Sequence, residues 1–320
     1  MASIERTGIN RSGASEPDMA AVRPKPTLSD RIQSYMPQIV MAPSVLAALI
    51  FTYGFVLWTL YLSFTDSTLF PNYELTGLKS HAKLWANIRW QIAYTNFFVF
   101  GFFYVIITTI VGLALAIFMD QRIRAESFFR SILLYPMAIS FVVTGVVWRW
   151  LLNPQTGVER LVQDLGWLSF QFDWIVQKDM AIYTVVFAGV WQASGFVMVL
   201  FLAGLRSVDA NLVKAAQIDG APLWMIYWRI IIPSIQPIVI AVLIILVQTA
   251  LKTFELVQAL TSGGPGIATT VPAIFVFDVM YARGQLGQGA AGAIMMLAML
   301  LVFLVPYFIY LRVRRARGGG

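Results

Sequence analysis

Residues 208–237 read VDANLVKAAQIDGAPLWMIYWRIIIPSIQP, a polar helix, a turn and an aromatic-rich helix set between two long apolar runs. Leu212, Ala215, Ala216 and Ile218 give the first helix one small apolar face, and Asp209 or Asn211 suits its N-terminus. Asp219-Gly220 predicts the turn: glycine tolerates positive φ, and the aspartate side chain holds nearby backbone N–H groups. Trp224, Tyr227 and Trp228, with Arg229 beside them, form a belt of the kind found where a helix meets the membrane interface. A compact helix held against a membrane in this way fits the groove of another protein. It is also an interfacial helix with no partner, and the residues leave both readings open.

The flanks of this loop extend the membrane reading to the whole chain. Of 320 residues, 58% are hydrophobic and only 12% charged, with a mean hydropathy of +0.72. Soluble domains carry about 25% charged residues. A surface this apolar needs lipid to cover it. Six stretches approach the roughly 20 apolar residues that a bilayer demands: Ile39–Phe64, Asn96–Phe118, Phe128–Leu152, Ala181–Leu205, Ile231–Thr253 and Gly289–Leu311. The fold class is therefore an all-α polytopic membrane protein with six transmembrane helices. Residues 1–38 are polar and read as a disordered cytoplasmic tail without a secretory signal, and 312–320 as a short basic tail.

Lys and Arg fix the expected orientation. With the N-terminus inside, fifteen fall on the cytoplasmic side, among them Arg6, Arg11, Arg23, Lys25, Arg122, Arg124, Arg206, Lys214 and Arg229. Six fall outside: Lys79, Lys83, Arg89, Arg160, Lys178 and Arg283. Both termini are thus expected in the cytoplasm, and the net charge of +7 is a topological signal with no call on nucleic acid. Prolines 43, 136, 233, 237 and 306 lie in or at the spans, as kinks or as hinges. Pro272–Ala282 is too short to cross and reads as an interfacial or re-entrant helix on the outer face, preceded by the turn cluster Thr261–Gly266.

The residue inventory excludes several chemistries. There is no cysteine, and the single histidine, His81, leaves neither a metal cluster nor a catalytic triad. The sequence contains no G-x-x-x-x-G-K-[ST] phosphate loop, so no catalytic residue is expected and any ATP hydrolysis belongs to another polypeptide.

The loop residues carry a family resemblance. Lys214-Ala215-Ala216-Gln217-Ile218-Asp219-Gly220-Ala221, followed by Ile230-Ile231-Ile232-Pro233, resembles the EAA loop of binding-protein-dependent ABC importer permeases. Leu260-Thr261-Ser262-Gly263-Gly264-Pro265 with Thr269 is similar to the L-T-x-G-G-P…T signature of the carbohydrate branch. So are Phe129-Arg130…Pro136, the run Trp148–Pro154 with Gly157, and Gly77-Leu78 with Asn96. Tyr135-Pro136-Met137 and Trp191–Phe196 look most like glucose/mannose-type permeases.

The resemblance implies a type I ABC importer transmembrane domain (MetI-like) in the bacterial inner membrane. The loop 207–233 would dock on a separate cytoplasmic ATPase through Lys214, Ala215, Ala216, Asp219, Gly220 and Ala221. Lys214 stands where the family has an acidic residue, so the usual carboxylate contact is not implied. The partners implied are a second permease subunit, two ATPases that carry ATP and Mg, and an extracytoplasmic sugar-binding protein. No cofactor is expected in this chain.

Sugars are held by hydrogen bonds to hydroxyls and by aromatic stacking. Trp191, Gln192, Ser194 and Phe196 in the fourth span, and Gln248 and Thr249 in the fifth, offer those groups. By resemblance to the maltose-type permease subunit, sugar contacts map onto Gly189, Gln192, Ala193 and Phe196, and onto Leu246, Thr249 and Ala250. The same polar residues also suit hydrogen bonding between packed helices. A secondary active transporter for a small polar solute is the alternative. It would need intramembrane carboxylates for ion coupling, and the nearest is Glu255.

Overall fold

The computed structural model describes residues 28–121 and 124–317. Arg6, Arg11, Arg23, Lys25 and Arg122, used above for orientation, lie outside the described residues. The chain divides into two units at Phe55/Val56, each described by itself. Regular structure among the described residues is helical, apart from one antiparallel bridge between Thr65 and Leu75.

The first unit holds most of α1 (Leu28–Ser63). This helix begins well before Ile39, so residues 28–38 are not the disordered tail expected of them. Thr27-Leu28-Ser29-Asp30 supplies the polar and acidic residues that favour a helix start. The side chains of Leu49, Phe51 and Phe55 are exposed, as a lipid-facing helix requires. At its far end in the second unit, Tyr61 donates its hydroxyl to the Tyr73 carbonyl (2.7 Å), and Asp66 takes salt bridges from Lys79 (2.8 Å) and Lys83 (2.6 Å). These two ammonium groups, Lys79 foremost, hold the Asp66 carboxyl below its usual range.

The second unit is built around α3 (Ile88–Asp120), introduced by α2 (Lys79–Ala86), and α7 (Ala181–Ser207). Two-thirds of the most apolar window of α7 is buried, so this helix runs through the centre of the unit. Phe100, Tyr104, Val197, Met198 and Phe201 form the seam between α3 and α7. Most of α7 is packed against its neighbours and Phe187 and Trp191 are exposed, so its sequence is apolar all round and lacks a one-sided stripe.

Two expected spans are broken. The third is split into α4 (Glu126–Ala138) and α5 (Phe141–Leu151), bent by 99°. Pro136 removes a backbone donor near the end of α4. Ser140 then starts α5 as an N-cap, its hydroxyl accepting from the Val143 N–H (3.3 Å). A short α6 (Val158–Asp164) follows before α7. The fifth is split by Pro233 and Pro237. After α7 come α8 (Ala210–Ile218), α9 (Leu223–Ile226), a π-turn at Tyr227–Ile231 and α10 (Ile232–Ser234). The segment Leu223–Ser234 then meets α11 (Gln236–Leu251) at 73°. A further break at Lys252-Thr253 leads to α12 (Phe254–Leu260). Pro136, Pro233 and Pro237 lie within three residues of these breaks, whereas Pro43 and Pro306 sit inside the unbroken α1 and α14 (Leu286–Arg317).

The expected short helix appears as α13 (Pro272–Phe277) with a π-turn at Asp278–Ala282, and α14 closes the chain. α14 covers the expected sixth span and runs on into 312–317, so the basic tail is largely helical. Asp278 pairs with Arg89 of α3 at 2.9 Å, which fixes the short helix against the bundle.

Candidate functional site

The loop after α7 forms the predicted helix, turn and helix, and its hydrogen bonds explain its sequence. The Asp209 carboxylate caps α8 by accepting from the Asn211 N–H (2.8 Å). At the other end, the Gly220 N–H donates to the Gln217 carbonyl (3.1 Å) and the Ala221 N–H to the Ala216 carbonyl (3.0 Å). This pair of bonds is a Schellman motif, with Gly220 at φ +78° in the left-handed position. Ala216 and Ala221 pack at the edge of the core and supply the apolar contact that accompanies the motif. Asp219 contributes its backbone N–H, to Ala215 (3.0 Å); among the described residues its side chain makes no hydrogen bond, contrary to the sequence expectation.

The expected single apolar face of α8 is in fact divided. Val213 and Ala216 turn inward, while Leu212 (54% exposed), Ala215 and Ile218 (86% exposed) stand free. Helical geometry explains the split, since Ala215 and Ala216 lie about 100° apart. Trp224 and Trp228 are also exposed, whereas Tyr227 reaches inward and donates its hydroxyl to Asp120 (3.3 Å).

Asp120 belongs to a charged cluster at the base of this loop. Arg206 at the end of α7 donates to Glu126 (2.9 Å) and lies 3.8 Å from Asp120, and Arg130 also pairs with Glu126. The cluster ties the ends of α3 and α7 and the start of α4 to the loop helix. The Arg206 hydrogen bond, more than Arg130, holds the Glu126 carboxyl below its usual range.

A second site lies midway along α3 and α7. A cavity of about 370 Å³ is lined by Tyr104, by the break Ile139–Phe141, by Gln192, Ala193 and Phe196, and by Leu246, Thr249 and Glu255. The bend in the third span frees the Ile139 carbonyl, and Gln192 donates its Nε2–H to it (2.6 Å). Gln192 Oε1 is buried without a partner among the described residues, and so is the Tyr104 hydroxyl. Gly189 leaves room for the Tyr104 ring, which stacks on Phe100. The structure therefore brings Gln192, Phe196 and Thr249 to one cavity. Trp191 instead packs on Trp148 (ring centroids 5.6 Å), Ser194 bonds back to the Val190 carbonyl, and Gln248 is exposed; none of these three lines the cavity.

Towards the opposite end of α3 from the loop, Asn96 meets the segment that follows Leu260-Thr261-Ser262-Gly263-Gly264-Pro265. Asn96 donates to the Ala268 (2.7 Å) and Thr270 (2.9 Å) carbonyls. Thr261 and Thr269 share a hydrogen bond (2.7 Å), and Thr269 also holds the Gly264 carbonyl (2.8 Å).

With this geometry in view, comparison with known proteins decides the family. Residues 109–317 match the model described as binding-protein-dependent transport system inner membrane component. The chain belongs to this family. Relatives include a probable ABC transporter permease protein of Pyrococcus horikoshii, 35% identical over 86% of this chain and 96% of its own. Another is a xylose/arabinose import permease protein of Haloferax volcanii, 33% identical over 81% of this chain and 82% of its own. The fold is that of the permease in a crystal structure of a bacterial ABC transporter involved in the import of the acidic polysaccharide alginate. That match has a TM-score of 0.77 at 21% identity and covers 90% of this chain and 98% of that one.

In this permease, sequence reasoning missed Tyr104 and Glu255 as cavity residues. Tyr104 sits in a wholly uncharged span and gives no local signal; Glu255 stood out only as an acidic residue near an apolar run. The Arg206 cluster joins residues far apart in sequence and was equally hidden. Arg206→Ala is expected to lower uptake severalfold while thermal stability barely changes, because exposed ion pairs contribute little to folding. Since the Glu126 carboxyl is held low, it stays ionised through the ordinary carboxyl range and its ion pair is lost only on stronger acidification. Uptake-coupled ATP hydrolysis should therefore be flat from about pH 8 to about pH 6 in the purified transporter.

Proposed function

We propose that this permease is one of two non-identical transmembrane subunits of a sugar importer driven by two separate ATPase subunits. An extracytoplasmic binding protein delivers the sugar. ATP and Mg are held by the ATPases, which dock on the exposed side of α8. The chain crosses the inner membrane six times, α4–α5 and the α11 region each counting as one bent span, with both termini in the cytoplasm. Sugar occupies the cavity between α3, α7 and α11, where Gln192 and Thr249 bind hydroxyls and Phe196 offers an apolar ring face.

One observation carries the reading. Two buried polar atoms without partners among the described residues, Gln192 Oε1 and the Tyr104 hydroxyl, belong to residues lining the same mid-depth cavity. Unpaired polar groups at this depth are costly, and a ligand hydroxyl relieves the cost. The name of the Haloferax relative, a xylose/arabinose permease, points to the same solute class. A secondary transporter is disfavoured by the family.

When the docked ATPases close, α8 moves with them as a rigid lever. The Arg206 and Tyr227 contacts carry that motion to α3, α4 and α7. The test is Gln192→Ala in the reconstituted transporter, with labelled xylose, glucose, maltose and trehalose. Uptake of the best substrate should fall at least about tenfold, the worth of one or two lost hydrogen bonds. Uptake unchanged, with the complex intact, would remove the sugar from this cavity.

A further inference from the structure

Among the residues lining the cavity, Glu255 is the one charged side chain. It sits in the first turn of α12, just past the Lys252-Thr253 break that aims this turn at the cavity. Among the described residues it forms no salt bridge or hydrogen bond, whereas Asp66, Asp120, Glu126 and Asp278 are all paired with arginine or lysine. Lys252 does not line the cavity, and Arg149 lines a separate one at the Asn153–Pro154 end of α5. Glu255 is exposed, and a charge facing the open cavity of a membrane transporter calls for a functional reason. Ion coupling gives none in a permease of an ATP-driven family. The cavity itself does give one.

From this geometry we infer that Glu255 is a substrate-contacting residue that selects neutral or cationic polyhydroxylated solutes over anionic ones. The inference rests on the sugar reading of the cavity and adds to it a charge preference. An ionised carboxylate only accepts hydrogen bonds, and a sugar's vicinal hydroxyls donate two side by side. The other groups are complementary. The Tyr104 hydroxyl has a proton to give, Gln192 Oε1 accepts, and the Gln192 Nε2–H is already committed to Ile139. A uronate or sugar phosphate brought against Glu255 would meet a like charge with no arginine, lysine or histidine in the lining to offset it. The same fold serves an importer of an acidic polysaccharide. The preference therefore lies in side chains and not in the architecture.

The experiment uses the complete transporter in lipid nanodiscs, with equilibrium binding of labelled glucose, glucosamine and glucuronate. These three share one ring and differ in charge. The wild type should bind glucose and glucosamine and hold glucuronate at least about tenfold more weakly. Glu255→Gln keeps the shape and removes the charge: it should weaken glucose and bring glucuronate to within about threefold of it. Glu255→Asp keeps the charge and should preserve the discrimination, which separates electrostatics from misfolding. Glucuronate bound as well as glucose by the wild type, no binding of glucose or glucosamine, or an unchanged ratio in Glu255→Gln each overturns the proposal. The Gln192→Ala arm separates the two levels. If Gln192→Ala weakens glucose but Glu255→Gln leaves the ratio alone, only the charge preference fails; if neither variant affects glucose, the cavity reading fails as well.

Discussion

Gly195→Ala is expected to lower both the yield of folded permease and its unfolding temperature, and Gly195→Val to abolish recovery of a stable complex. A Cβ at Gly195 would lie 1.8 Å from the Leu133 carbonyl oxygen and 2.7 Å from its carbon. Both are backbone atoms of α4, so no rotamer change relieves the clash and α4 must move away from α7. Overpacking of this kind costs about 1–3 kcal/mol where neighbours can shift, and backbone against backbone gives little room. The damage also reaches the cavity. Ile139 and Ser140 at the end of α4 line it, and Gln192 holds Ile139 from α7. Uptake should therefore fall further than stability alone accounts for. Gly101→Ala is the matched control: on α3 a Cβ at Gly101 meets nothing within 4 Å, and the helix gains propensity. Thermal unfolding followed by size-exclusion of the purified complex separates the two cases. Equal stability of Gly195→Ala and Gly101→Ala would show that α4 and α7 do not approach as described.

How much of this was legible in the sequence follows from how local each cause is. The apolar runs gave α1, α3, α7 and α14 within a few residues at most ends, because hydrophobic length is additive along the chain. The loop turn was equally readable, since Asp-Gly is a local backbone demand that Gly220 meets by itself. Prolines 136, 233 and 237 marked the positions of the breaks, but not their 99° and 73° angles. Those angles depend on what catches the freed carbonyls, and for Ile139 this is Gln192 on a distant helix. The division of α8 into inward Ala216 and outward Ala215 was hidden for the same reason: both are small and apolar, and only the neighbouring core distinguishes them. In the candidate site, Gln192, Phe196 and Thr249 were found by residue type. Trp191 and Gln248 belong to the same types and face elsewhere. Tyr104 and Glu255 needed the third dimension, because helices far apart in sequence bring them to that cavity.

Gly220→Val is expected to leave sugar binding nearly intact while uptake falls to a small fraction of wild type. At φ +78° a β-branched residue is strained by roughly 1–3 kcal/mol. The nearest relief is to give up the Gly220–Gln217 and Ala221–Ala216 hydrogen bonds that end α8. The helix end then frays, and under the proposed docking of α8 on the ATPase less of the ATPase's movement would reach the membrane helices. No Cβ clash contributes, since a Cβ there meets nothing within 4 Å. The effect should therefore be graded by backbone preference: Gly220→Asn mild, Gly220→Ala intermediate, Gly220→Val severe, because asparagine tolerates the left-handed region best of the three. The cavity lies on the far side of the Arg206 cluster and shares no residue with the turn. Binding of labelled sugar to the purified complex should thus persist where sugar-stimulated ATP hydrolysis is lost. Loss of binding and hydrolysis in parallel would mean that the turn supports the fold of the whole permease. Loss of hydrolysis alone, graded in that order, would identify the Schellman turn as the part of the permease that passes force between ATPase and membrane helices.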